Sequence, residues 1–298
     1  MIDIVGKRKI WFSISGAVLI ISLLLTGIFG LRLGIDFTGG SLLEMSCTAV
    51  PGTDKAVAVY TEKGVEGAVV QQIGETGILI RSKELTPALH NAILPALQEA
   101  LKQEGCTEAR FETIGPSISK ELREKSFGMI VAVVLAIILY VAWTFRSVSK
   151  PVASWKYGVV AVVALLHDIT LPTAVFAVFG HFAHIEVDVL FVTALLTVMG
   201  FSVHDTIVVF DRVRESLQRN TSISFIDTVN ESVNTTLGRS INTSFTTVLS
   251  LVGIFLLTTG SIKYFSAVMI MGILVGTYSS IFIAAPLLVT WYLVGKKK

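Results

Sequence analysis

Charged residues are scarce in this sequence. Asp, Glu, Lys and Arg make up only 15% of its 298 residues, whereas 52% are hydrophobic. A soluble domain of this length carries about 25% charged residues. The apolar residues also cluster in runs of roughly 20, the length needed to cross a hydrocarbon layer. The scarcity of charge therefore argues against a soluble protein and predicts an α-helical polytopic membrane protein.

Residues that bind metals or act as nucleophiles are also few. The five histidines are scattered and the only cysteines are Cys47 and Cys106, which gives no metal-binding pattern. No GxSxG sequence is present to place a nucleophilic serine. Residues 34–40 read GIDFTGG, but they lack the lysine and the following helix of a nucleotide-binding loop. We therefore expect no enzyme, no metal, no bound cofactor and no nucleic-acid partner.

Six apolar runs divide the chain. The first, 10–31, is too long for a signal-peptide core and lacks a clear small-residue cleavage site, so we interpret it as an anchor. The other five runs cover residues 127–145, 157–179, 187–210, 239–259 and 265–294. The sequence predicts an N-terminus with the first helix (1–31), a polar domain (32–125), and helices 2 to 6 (126–298).

The distribution of basic residues predicts the orientation. Short loops on the cytoplasmic side of a membrane are rich in Lys and Arg. One side receives Lys7, Arg8, Lys9, Arg146, Lys150, Lys156, Arg212, Arg214, Arg219, Arg239, Lys296, Lys297 and Lys298. The short loops on the other side, 181–188 and 260–264, contain only Lys263. We therefore expect both termini in the cytoplasm and domain 32–125 outside it.

Residues 213–238 alternate apolar and polar side chains between the fourth and fifth runs. The pattern predicts an amphipathic helix that lies at the cytoplasmic membrane surface and leads into the fifth helix.

Domain 32–125 has the element order βαββαβ, which favours a small ferredoxin-like α+β domain. The expected strands are 41–47, 68–73, 77–81 and 108–114, and the expected helices are 54–63 and 86–103. Thr53 and Thr86 are the predicted N-caps, with Pro87 at the first position of the second helix. Pro95 should kink that helix.

The same order makes a prediction about the cysteines. In a ferredoxin-like sheet the first and last strands are antiparallel neighbours. Cys47 closes the first strand and Cys106 precedes the last, so we expect a Cys47–Cys106 disulfide on the oxidising side of the membrane. The alternative is two unpaired, partly buried thiols.

Residues 200–215 read GFSVHDTIVVFDRVRE, and they place His204 and Asp205 inside an apolar run. An ionisable side chain within a membrane helix costs about 2.5–3.5 kcal/mol and usually marks function. Burial favours the neutral form of a carboxyl group and a nearby cation favours the charged form. Asp205 is therefore a candidate proton carrier, and the alternative is a structural aspartate held by hydroxyls of a neighbouring helix.

Arg239 begins a polar stripe on the fifth helix. Residues at helical spacing share one face, and here they are Arg239, Thr243, Thr246 and Ser250, flanked by Asn242 and Thr247. A hydroxyl-lined stripe in an apolar helix should face protein or water rather than lipid. It could carry protons, with Arg239 acting on Asp205. Alternatively, Arg239 extends to the membrane surface beside a packing face.

Three further features have two interpretations each. His167 and Asp168 could extend the proton path or satisfy backbone groups near a kink at Pro172. The GIDFTGG sequence, with Gly34, Asp36, Gly39 and Gly40, gives a sharp exit from the first helix and is a candidate hinge. Gly272, Gly276 and Ser280 form a small-residue stripe that allows close packing of helices, within the chain or against a partner.

Three stretches together resemble one family: GIDFTGG at 34–40, SVHDTIVVFDRVRE at 202–215 and NTTLGRSINTSFTT at 234–247. With six apolar runs and one early insertion, they resemble the SecF members of the SecD/SecF family, which belongs to the RND superfamily. In that family an aspartate of the DTIVVFDR helix and an arginine of the next helix serve the proton path. The matching positions are Asp205 and Arg239. His204 departs from the pattern, because many relatives carry an amide residue there.

The resemblance implies a subunit of the SecDF complex in the bacterial inner membrane. It would work with SecD beside the SecYEG channel and use the proton-motive force to help preproteins cross, with protons as the coupling ion. YajC or YidC would be further partners, and membrane lipid surrounds the helices. Six helices are half of the twelve in an RND-type unit, which also implies a partner of similar architecture.

Two other functions are compatible with parts of the sequence. An RND-like exporter of lipids or small molecules would also use protons, but such exporters usually have two large exported domains and twelve helices. An intramembrane aspartyl protease needs two carboxylates that share a proton, and Asp168 and Asp205 lie in different helices. The two aspartates have different inferred depths, and the glycine-aspartate contexts of such enzymes are missing.

Overall fold

The computed structural model describes residues 1–146, 152–219 and 224–296. Lys150, Lys297, Lys298 and residues 220–223 of the predicted amphipathic segment lie outside this part of the chain. Two compact units are present: Leu33–Ser126, and Met1–Arg32 together with Phe127–Lys298.

Six helical segments in the described residues are long and apolar enough to cross a membrane. They are α1 (Arg8–Phe29), α5 (Pro116–Thr144), α6 (Ser154–Phe182), α7 (Val189–Arg219), α8 (Phe225–Leu257), and a sixth that joins α9 (Gly260–Ser279), a π-helical segment (Ser280–Ala284) and α10 (Ala285–Lys296). The predicted multi-pass membrane architecture is therefore confirmed. The π-helical segment was not expected, and such segments interrupt the regular α-helical hydrogen bonding.

Helices α7 and α9 approach each other closely because their contact residues are small. A Cβ atom on Gly272 would lie 2.4 Å from Cγ2 of Val198, and one on Gly276 would lie 3.0 Å from Cβ of Ser202. Small residues let membrane helices bring their backbones together. The glycines of the predicted small-residue stripe therefore form a packing face within the chain.

The segment between the fourth and fifth spans differs from the prediction. Helix α7 continues to Arg219 and α8 already begins at Phe225, so residues 225–238 belong to the same continuous helix as the span. Phe225, Val229 and Val233 are buried in the core of the membrane unit. The apolar side chains of the alternating pattern therefore pack on protein, and the predicted location of this segment at the membrane surface stays a prediction.

The unit Leu33–Ser126 contains α2 (Ile35–Thr38), β1 (Gly40–Ser46), α3 (Thr53–Glu62), β2 (Val69–Ile73), β3 (Gly77–Ser82), α4 (Pro87–Ala100) and β4 (Thr107–Ile114). The sheet order is β2-β3-β1-β4 and all neighbouring strands are antiparallel. The predicted ferredoxin-like domain is therefore confirmed. Alternate residues such as Leu43 and Met45 of β1 are buried against α3 and α4, as the two-residue period of a strand requires.

The ends of these elements follow from local chemistry. The hydroxyl of Thr86 accepts a hydrogen bond from the Leu89 N–H (3.3 Å) and caps α4, as expected. Thr53 does not cap α3, because it is the first residue of that helix and Gly52 occupies the cap position. Cys47 follows β1 and Cys106 precedes β4, and the two are joined in a disulfide.

The GIDFTGG sequence forms one helical turn, α2, between α1 and β1. Two of its glycines have backbone angles that other residues rarely adopt, with φ of 75° at Gly39 and 120° at Gly40. A Cβ atom on Gly40 would lie 2.6 Å from the carbonyl oxygen of Ser82. Glycine is therefore required where β1 enters the sheet, and the proposed hinge motion stays a prediction.

Candidate functional site: a polar network between membrane helices

Asp168 of α6 is fully buried, and its carboxylate is surrounded by donors. Its Oδ2 accepts hydrogen bonds from the hydroxyls of Ser202 (2.5 Å) and Ser279 (2.7 Å). Nδ1 of the neighbouring His167 lies 3.1 Å from the other oxygen, Oδ1. Pro172 has no N–H to bond the backbone carbonyl of Asp168, four residues earlier. The Asp168 side chain thus ties α6 to α7 and α9.

Asp205 of α7 is also buried, with 3% of its surface exposed. It lies where three helices meet, because hydroxyls of Ser244 on α8 and Thr277 on α9 interact with its carboxylate. Those two hydroxyls also form a hydrogen bond with each other. Oδ2 of Asp205 is buried and has no hydrogen-bond partner among the described residues. Asp205 is therefore less completely satisfied than Asp168, which suits a group that exchanges a proton.

The two aspartates are connected through shared helices. Ser202, which donates to Asp168, lies three residues before Asp205 on α7. Thr277, beside Asp205, lies two residues before Ser279, which donates to Asp168. Ser202 and Asp205 are one turn apart and share a face of α7, whereas Thr277 and Ser279 are two residues apart within one turn of α9. A change at Asp205 that moves α7 or α9 therefore also affects the hydrogen bonds of Asp168.

His204 is not part of the hydrogen-bond network among the described residues. Its side chain is exposed on the outside of the helix bundle, whereas Asp205 points inward. Successive residues on an α-helix differ by about 100° in direction, so adjacent residues need not share a face. His204 lies close enough to act on the Asp205 carboxylate through its charge, but it makes no hydrogen bond to that carboxylate among the described residues.

The polar stripe predicted on the fifth helix lies on α8, but it does not face Asp205. Arg239, Asn242, Thr246 and Ser250 are exposed, and Thr243 and Thr247 are half-buried. The hydroxyls of Thr246, Thr247 and Ser250 donate to carbonyls of their own helix. The buried polar face of α8 carries Ser232, Thr236, Ser240 and Ser244 instead. The stripe therefore leaves a row of polar groups on the outside of the bundle.

Arg239 is exposed and makes no hydrogen bond or ion pair with any described residue. The structure does not bring it together with Asp205. An arginine in a helix that crosses a membrane needs water, lipid headgroups or another protein as its partner.

Within residues 1–146, 152–219 and 224–296, no cluster of three or more His, Cys, Asp or Glu side chains could hold a metal.

Four site residues were not expected from the sequence: Ser202, Ser244, Thr277 and Ser279. Hydroxyls on membrane helices most often bond a carbonyl of their own helix, as Thr246 does. Their residue type therefore gave no signal. The available hints were that Ser202 lies one turn before Asp205 and that Ser202 and Ser244 fall within two of the stretches that carry the family resemblance.

The chain matches known sequence families over most of its length. Residues 95–294 match the family described as protein export membrane protein SecD/SecF, C-terminal, and residues 25–48 match the SecD/SecF GG motif. The protein translocase subunit SecF of Anaerolinea thermophila is 38% identical over 294 residues, which cover 98% of this chain and 94% of that protein. SecF of Thermobaculum terrenum is 39% identical over 301 residues, with the same coverage of 98% and 94%.

Longer relatives match as well. The protein translocase subunit SecDF of Bacillus subtilis is 30% identical over 292 residues, which cover 97% of this chain and 38% of that protein. The crystal structure of SecDF from Thermus thermophilus, a translocon-associated membrane protein, has a TM-score of 0.84 at 27% identity. That match covers 100% of this chain and 39% of the SecDF chain. On its sequence and its fold, the chain belongs to the SecD/SecF family of protein-export membrane proteins.

Proposed function

We propose that this chain is the SecF-type subunit of a SecDF complex, which uses the proton-motive force to assist protein translocation through the SecYEG channel. Membership of the family supports a role associated with Sec translocation. The finer proposal, that protons drive the process through Asp205, depends on the site. The observation that carries it is the buried Asp205 carboxylate, which lies where three membrane helices meet and has an unpaired Oδ2 among the described residues.

The location of Asp205 gives a proton the means to move helices. Adding a proton removes a charge from the buried carboxylate, and this changes its interactions with Ser244 on α8 and Thr277 on α9. One charge that crosses 100 mV supplies about 2.3 kcal/mol. Coupling energies between protein sites are about 1–3 kcal/mol, so a single proton is enough to bias a two-state rearrangement of α7, α8 and α9.

The exposed stripe of α8 supports SecD as a partner. Arg239, Asn242, Thr246 and Ser250 are exposed on a helix long and apolar enough to span the membrane. Polar groups in spans face protein or water rather than hydrocarbon. This chain covers 38% of the Bacillus subtilis SecDF chain, and a second membrane unit such as SecD would cover this face and give Arg239 its partner. Arg239 would then act on Asp205 only in the assembled complex.

The remaining parts of the proposal concern location. The chain would lie in a bacterial inner membrane with both of its termini in the cytoplasm. The unit Leu33–Ser126 would then lie on the outer side, where preproteins emerge. Its Cys47–Cys106 disulfide suits that oxidising side. YajC or YidC and membrane lipid complete the surroundings, and protons are the only coupling ion, without a cofactor.

An intramembrane protease is less well supported. The two carboxylates of an aspartyl protease share one proton. Here Asp168 is bonded to Ser202, Ser279 and His167, and no hydrogen bond joins it to Asp205 among the described residues. An exporter of lipids or small molecules remains an alternative within the same superfamily, and it would also need Asp205.

Asp205→Asn tests the proposal, because asparagine keeps the shape but cannot carry a proton. Proton-driven translocation of a preprotein in reconstituted vesicles should fall to the rate without a proton gradient, while assembly with SecD is retained. Asp211→Asn is the matched control, since Asp211 lies on the same helix but is exposed and paired with Arg214. Full stimulation by the proton gradient in Asp205→Asn would refute the proposal.

A further inference from the structure

The first six residues form a strap that packs onto the membrane unit. Ile4 and Val5 are fully buried, and they belong to the same core cluster as Val229 and Val233 of α8. A chain segment that only extended into solvent would not bury two large apolar side chains. The strap therefore has a fixed place against the first turns of α8.

Two asparagines of α8 hold the strap by its backbone. Oδ1 of Asn230 accepts hydrogen bonds from the N–H groups of Ile4 (3.0 Å) and Val5 (3.2 Å), and its Nδ2 donates to the Ile2 carbonyl (3.1 Å). Oδ1 of Asn234 accepts a hydrogen bond from the Ile2 N–H (2.8 Å), and Nδ2 of Asn234 donates one to the Ile2 carbonyl (2.9 Å). Each amide acts as both donor and acceptor, which neither a carboxylate nor an apolar side chain can do.

The strap is also fixed to α1. The indole N–H of Trp11, in the first turn of α1, donates to the Ile4 carbonyl at 3.1 Å. The Asp3 carboxylate accepts from the Gly6 N–H at 2.8 Å, which closes a tight turn just before α1 begins. Movement of the strap is therefore passed to the start of α1.

The helices joined by the strap have different tasks under the proposed function. Helix α8 carries Ser244 beside Asp205, and it carries Arg239 five residues after Asn234. Helix α1 packs mainly on α6 and the π-helical segment, and the chain runs from its other end into the unit Leu33–Ser126. The strap thus offers a direct connection from the helix beside the proton site to the helix that leads to the exported domain.

We propose that Asn230 and Asn234 are positioning residues, which clamp the strap so that a proton-driven shift of α8 moves α1. This inference rests on the proposed function, and it adds the route by which a shift of α8 reaches α1. Among the described residues, no hydrogen bond joins either asparagine to Asp205. Loss of the clamp should therefore separate proton loading from translocation and leave the loading itself in place.

The test uses the full chain assembled with SecD. The variant Asn230→Ala with Asn234→Ala removes the clamp, and Asn234→Asp is milder because it keeps the acceptor and loses the donor. Thr235→Ala is the matched control, because Thr235 is exposed on the same helix and its hydroxyl donates to the Glu231 carbonyl of that helix. Ile4→Cys reports the strap itself, since the two natural cysteines are already joined.

Three results are expected for the double variant. A maleimide should label Ile4→Cys several times faster than it does when the clamp is intact. Proton-driven translocation should fall about fivefold or more, the lower end of typical coupling. The protonation change of Asp205, followed by infrared spectroscopy, should persist. Unchanged labelling in the double variant would overturn the clamp. So would unchanged translocation in the double variant, if Asp205→Asn abolishes translocation in the same assay. No effect of Asp205→Asn would instead remove the proposed function.

Discussion

At the scale of single residues, the two buried aspartates differ in how completely they are bonded. Oδ2 of Asp168 receives two hydroxyl donors, whereas Oδ2 of Asp205 receives none from the described residues. A saturated carboxylate holds helices together, and an incompletely paired one can change its protonation at lower cost. Under the proposed function, we therefore expect a mainly structural role for Asp168 and place the exchanged proton on Asp205.

Removal of a donor to Asp168 should destabilise the protein. Ser279→Ala deletes a 2.7 Å bond to a fully buried carboxylate, so the free energy of unfolding should fall by about 1–3 kcal/mol. Thermal unfolding in detergent would measure it. Ser250→Ala is the control, because the Ser250 hydroxyl is exposed and bonds its own helix. Equal losses in both variants would contradict the structural role of Asp168.

Sequence could identify the ionisable residues but not their directions. His167–Asp168 and His204–Asp205 look alike as pairs, yet His167 is buried beside its aspartate and His204 is exposed on the outside of the bundle. The face of a helix that is buried depends on which neighbouring helices pack against it. A single chain sequence shows the residue types on each face but does not say which face is covered.

At the scale of elements, close contact of α7 and α9 sets the geometry of the site. The small residues Gly272 and Gly276 allow α9 to approach α7 at Val198 and Ser202. That approach brings Thr277 to Asp205 and Ser279 to Asp168. The distance between the two helices therefore decides whether both aspartates find their hydroxyls.

Gly272→Ala should force these helices apart, because the new Cβ would lie 2.4 Å from Val198. Overpacking of this kind costs about 1–3 kcal/mol, and we expect a lower thermal midpoint with reduced proton-driven translocation. Val198→Ala in the same chain should recover much of both. Gly253→Ala provides a control, since a Cβ at Gly253 meets nothing within 4 Å. A harmless Gly272→Ala would show that the contact does not position the site.

Element order was predictable where each element has a strong local signal. The six apolar runs and the βαββαβ order came from hydrophobic length, periodicity and capping residues such as Thr86. The true lengths of α7 and α8 were not predictable from hydropathy, because both helices continue beyond their apolar runs into residues with charged and polar side chains. The packing of residues 1–6 on α8 was missed because the hydrogen bonds between them join residues more than 220 positions apart.

At the scale of the whole molecule, the chain has the character of one half of a larger assembly. It covers 39% of the solved SecDF chain, and its α8 presents exposed polar groups, including Arg239, in a membrane-spanning helix. We expect a second half to cover that stripe. The sequence predicted the need for a partner from the helix count, but only the structure showed which face of α8 is left uncovered.

The central claim is that Asp205 takes up and releases a proton in the assembled complex. Infrared difference spectroscopy tests it most directly, with isotope-labelled aspartate in the reconstituted complex and stepwise changes of pH. The account predicts a protonated-carboxyl component that responds to pH in the unmodified protein and in Asp211→Asn, and that is missing in Asp205→Asn. An identical pH-dependent component in Asp205→Asn would contradict the account.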